Sequence, residues 1–111
     1  MLASSLNVSV GTDVRLTLHI TNSTPESVEL RFSSGKTHDF VILDSRGAEV
    51  WRWSADRMFT QALQTRALRV SESVTYEERW VPGSTSGTFT AVGLLASTNV
   101  PIEKRVEFTL P

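Results

Sequence analysis

Histidine chemistry in this chain would have to run through His19 or His38, its only two imidazoles. A serine hydrolase needs a histidine, a carboxylate and a serine on a nucleophile elbow, and no G-x-S-x-G occurs. A metal site needs several convergent ligands. His38 and Asp39 are adjacent, and neighbours on an extended strand leave opposite faces, so they cannot jointly hold one ion. Parity separates Glu77 from Glu78 in the same way. Glu78 turns inward, where a salt bridge, with an arginine for instance, is the expected use. The loop from Gly83 to Gly87 lacks the lysine and the following helix of a phosphate loop. Asn7-Val8-Ser9 and Asn22-Ser23-Thr24 match the glycosylation triplet, but turn chemistry already explains Asn22. No catalytic constellation emerges, and no cofactor or metal is implied.

The elements that must position these residues follow from composition and pattern. The chain has 111 residues, 40 % hydrophobic and 21 % charged, which is the composition of one globular domain able to bury a core. Residues 1–111 are therefore read as a single domain. With no cysteine, the fold cannot depend on disulfides or thiolate metal sites, which is compatible with a cytoplasmic setting. A formal net charge of −1 gives no basic surface for nucleic acid. No apolar run has the length of a membrane span, and MLASSLNVSV lacks the n- and h-regions of a signal peptide. The alternative setting is an exported domain of a longer protein.

Period-two alternation dominates the chain. Leu6, Val8 and Val10 suggest a short first strand. Val14, Leu16, Leu18 and Ile20 form one face of a second, and Val28, Leu30 and Phe32 mark a third. Phe40 to Leu43 is apolar on both parities, the pattern of a strand covered on both sides. Ser45-Arg46-Gly47 supplies a turn, with Gly47 free to take positive φ, so residues 38–53 read as a hairpin. Trp51 and Trp53 share a parity and are expected to close one side of the core. From Ser54 to Arg66 the alternation lapses. A turn or short helix N-capped by Ser54 is expected there, followed by a short edge strand over Ala67 to Val70. Strands containing Val74 to Trp80, Phe89 to Ala96 and Val100 to Leu110 complete the chain, with Gly93 marking a bulge or a close approach. The expected fold is all-β: an antiparallel immunoglobulin-like β-sandwich of seven or eight strands.

The central stretch carries a resemblance. Phe32-Ser33-Ser34-Gly35, Asp39-Phe40, Asp44, Gly47, Glu49-Val50-Trp51-Arg52-Trp53-Ser54 and Met58-Phe59-Thr60-Gln61 together resemble the intracellular proteinase inhibitor family, BsuPI. Ala67-Leu68, Ser73, Tyr76 and Trp80 continue the match, which spans about residues 14 to 109. Two departures stand out: the family's usual Gly near Ser71 or Glu72, and its Gln near Lys36. The resemblance implies a non-enzymatic protein that inhibits a subtilisin-like intracellular serine protease of bacteria.

An inhibitor of that kind must present a preorganised surface, since ordering a loop on binding costs affinity. The segment Ser54 to Gln61 offers Met58 or Phe59 for an apolar specificity pocket. Against this, apolar residues in a tight crossing are usually core, so the expectation is that Met58 and Phe59 plug the open end of the sandwich beside Trp51 and Trp53. Arg57, Arg52 and Trp80 complete the candidate protein-binding set, because interface hot spots favour arginine and tryptophan where these are exposed. The loop Val81 to Thr88 is a second candidate without an anchor, and blocking of an exosite is a third possibility. The contrasting reading is a non-inhibitory interaction or spacer module, favoured by full burial of Trp51, Trp53 and Phe59.

Overall fold

The computed structural model describes residues 2–111, so Met1 lies outside it. Nine strands lie among the described residues: β1 (Leu2–Val10), β2 (Val14–Asn22), β3 (Val28–Phe32), β4 (His38–Leu43), β5 (Glu49–Arg52), β6 (Gln64–Leu68), β7 (Ser73–Trp80), β8 (Gly87–Leu95) and β9 (Ile102–Leu110). One sheet has the order β1-β2-β7 and the facing sheet β5-β4-β8-β9, with every pairing antiparallel. The pair β3-β6 carries the line of β2-β7 around a corner. The count is one above the upper figure of the expected seven or eight; the edge strand expected over Ala67 to Val70 lies at Gln64–Leu68, and β1 begins before the alternation that marked it. Leu2–Val10 pairs along its whole length with β2 although serines occupy much of it.

Alternation sets the core. Val14, Leu16, Leu18 and Ile20 of β2 are all fully buried and face Phe40 and Ile42 of β4 across the sandwich. Phe40, Val41 and Ile42 are buried on both parities, as expected for the apolar run, while Leu43 at its end is half-buried; Asp39 is buried as well. Gly93 lies at the centre, where an added Cβ would meet the Leu6 side chain at 3.1 Å and those of Leu18 and Phe40 at 3.5 Å. It marks the close approach of the two sheets, and β8 keeps its register with β9 through it. At the β4–β5 turn, Asp44 accepts from the backbone of Arg46 and Ala48, and Gly47 takes φ +84°. The register then slips by one residue between Ile42 and Leu43, leaving Val50 bulged outward.

The corner between β2 and β3 is built on Asn22, which is fully buried. Its amide nitrogen donates to the carbonyls of Leu68 and Glu26, both at 2.8 Å, and its oxygen accepts from the Thr24 backbone and hydroxyl. An amide consumed in this way is no acceptor for a glycan. Opposite it, Ser71 takes φ +66°, the left-handed conformation that favours glycine.

Candidate functional site

The site is built where β5 ends. Parity along β5 turns Trp51 inward, where it packs on Trp80, and Trp53 continues inward to stack on His38 at 4.6 Å. β5 stops at Arg52 because the chain turns into a 3-10 helix over Trp53–Asp56. Ser54 does not cap this helix. Arg52 holds the N-cap position with no side-chain bond that caps the helix, and the Ser54 hydroxyl donates to Asp39 instead. Arg57 leaves this helix in an extended conformation, at φ −119°, ψ 151°. No regular structure intervenes before β6.

An extended chain alternates its side chains, and Arg57, Met58 and Phe59 follow this rule. The Arg57 guanidinium lies 4.5 Å from the centre of the Trp53 ring, and the Phe59 ring packs on the same indole at 5.9 Å. Met58, between them, is 99 % exposed. The expected apolar plug is therefore corrected for Met58: only Phe59 packs inward, as a half-buried anchor. The backbone is held as well. Arg57 N–H donates to the Ser54 carbonyl at 3.2 Å, and Gly35 N–H donates to the Thr60 carbonyl at 2.8 Å. An added Cβ on Gly35 would fall 2.6 Å from Thr60 Oγ1 and 3.2 Å from its backbone nitrogen, so only glycine permits this approach.

The remaining candidates are placed elsewhere. Trp80 is 7 % exposed and packs among Trp51, Phe89 and Phe108. Arg52 is half-exposed but paired with Glu49 at 2.8 Å and with Asp39 at 3.2 Å. Val81 is exposed at the start of the 81–88 loop, which lies toward the Leu43 end of β4, away from Met58 at its His38 end. Glu78 forms the expected kind of ion pair, with His38 at 2.8 Å rather than with an arginine, while Glu77 pairs with Arg15. His38 itself is layered between Trp53 and Tyr76, so the indole under the loop rests on a three-ring stack. The Trp53 indole N–H is buried without a hydrogen-bond partner.

Sequence reasoning missed Asp39. Its carboxylate is 1 % exposed on the outer side of β4 and bonds with Lys36, Arg52, Ser54 and the Phe40 amide. Burial alone would raise its pKa. The hydrogen bonds from Lys36, Ser54 and Phe40, with the charge of Lys36, outweigh burial and hold it below the ordinary carboxylate value. A signal was present: an acid inside a strand covered on both faces has to be paired.

Fold and site together define a β-sandwich that displays a surface segment held at both ends, by Trp53 and by the Gly35–Thr60 bond. Residues 2–100 match the family described as intracellular proteinase inhibitor, BsuPI, and the chain belongs to that family. Among solved structures it is similar to a β-glucosidase from Erythrobacter marinus, at 13 % identity and a TM-score of 0.47, covering 97 % of this chain. The chain spans 16 % of that protein's length. No curated protein matches it.

Proposed function

We propose that this chain inhibits a subtilisin-like serine protease by non-covalent binding, laying Arg57–Gln61 along the active-site cleft with Met58 in an apolar specificity pocket. The observation that carries this reading is the 99 % exposure of Met58 between two anchors on one buried indole. Met58 contributes nothing to the core, and Leu63, 81 % exposed further along the same segment, adds a second apolar side chain on the surface. A flexible, polarizable thioether is well suited to filling a partner's pocket. The extended backbone on either side matches the strand-like form in which peptides add to a partner's backbone. Membership in a family of intracellular proteinase inhibitors supports the same function, and a cysteine-free chain suits a cytoplasmic site of action.

Complex formation with an active-site-blocked protease tests this mode. Gel filtration is expected to show a complex between the chain and free subtilisin, and none when the catalytic serine has been sulfonylated and the pocket filled. Binding to both forms would mean that the contact lies at an exosite. Binding to neither would favour an interaction module with another partner.

A further inference from the structure

Asp39 makes more contacts than a strand needs from one side chain. Its carboxylate accepts from Phe40 N–H at 2.9 Å, Ser54 N–H at 3.1 Å, the Ser54 hydroxyl, Lys36 Nζ at 2.8 Å and Arg52 at 3.2 Å. A carboxylate offers about four lone-pair sites, so this one is saturated. Taking such a charge out of water is costly, and β4 alone does not call for it, since its neighbours Phe40, Val41 and Ile42 pack without polar groups. The donors lie on the two stretches that flank the exposed segment. Ser54 opens the turn that leads to Arg57. Lys36 follows Gly35, whose amide clasps Thr60. One buried carboxylate thus ties the entry of the segment to the stretch that holds its exit.

We infer that Asp39 is the positioning residue of the inhibitory segment: through Ser54 on one side and Lys36–Gly35 on the other, it fixes Arg57–Thr60 in its binding shape before a partner arrives. This rests on reading Arg57–Gln61 as the contact segment. The physical advantage is preorganisation, because a segment ordered beforehand loses less freedom on binding. No disulfide is present to do this, so the ion and hydrogen-bond node takes that role.

The test compares the free protein with Asp39→Asn, Ser54→Ala and Gly35→Ala by 15N relaxation, and each variant's inhibition of subtilisin. In the wild type, order parameters over 57–61 are expected near the rigid-backbone value of about 0.85. In the variants they are expected to fall below about 0.6 in that segment while β2 and β8 stay unchanged. Inhibition is expected to weaken on the order of tenfold, as for loss of one charged hydrogen bond. If Asp39→Asn does not fold, the other two variants, which leave the carboxylate in place, carry the comparison. Segment mobility equal to wild type in Ser54→Ala and Gly35→Ala, or loosening spread evenly through the sheets, would overturn the positioning role. The relaxation arm needs no protease. A wild type with a rigid segment that fails to inhibit therefore counts against the inhibitor reading and leaves the positioning role standing.

Discussion

Met58 does nothing for the fold that its exposure would allow. Its side chain touches solvent almost everywhere, so Met58→Ala is expected to change unfolding free energy by no more than about 0.5 kcal/mol in a urea titration. Ser71 is the opposite case, a residue held in a conformation its side chain disfavours. Ser71→Gly should relieve the left-handed strain and raise stability by about 1 kcal/mol, read as a higher urea midpoint at unchanged slope. Both residues were partly legible in the sequence. The family's usual glycine near Ser71 or Glu72 pointed to the strained turn, and the structure assigns it to Ser71. Arg57, Met58 and Phe59 stood out by type. Their division into two inward anchors and one outward tip followed from an extended backbone, where a helical turn had been expected. Trp80 could not be judged by type alone. It is buried because it ends β7 opposite Val14, against three other aromatic rings.

The elements around the site depend on two buried polar residues, Asp39 and Asn22. The Asp39 carboxylate has its pKa lowered in the folded protein, so its contribution to stability is present above the ordinary value of 3.8 and is lost as pH falls through the lowered one. The stability difference between wild type and Asp39→Asn is therefore expected to shrink as urea titrations move from pH 7 to below pH ~3.8, near the ordinary aspartate value. A difference that stayed constant over that range would mean the carboxylate is not held ionised by its partners. Asn22→Ala removes the side chain that joins the β2–β3 corner to Leu68, with an expected loss of about 2 kcal/mol for the stranded buried groups, measured by thermal or urea unfolding. The strands themselves were readable from alternation, since one buried face imposes period two. The node at Asp39 was not, because Arg52 reaches it through the β4–β5 pairing and Ser54 through the turn at the end of β5, while only Lys36 is near in sequence.

At the scale of the molecule, the two sheets form a frame of 45 × 29 × 24 Å whose core holds the three-ring stack of Trp53, His38 and Tyr76 beneath the segment. The sandwich architecture was legible because strands and turns recur evenly along the chain. The turn at Asn22 was legible too, but not that its side chain ties the corner to Leu68, a partner 46 residues away. On this frame we propose Met58 as the tip of an inhibitory segment. Titrating a subtilisin-type protease with the wild-type chain and with Met58→Asp, following cleavage of a small chromogenic substrate, tests it most directly. The expected result is tight, saturable loss of activity with wild type and at least about a hundredfold weaker inhibition with the aspartate variant, in keeping with a charge forced into an apolar pocket. Equal inhibition by both proteins, with both shown to be folded, would contradict it.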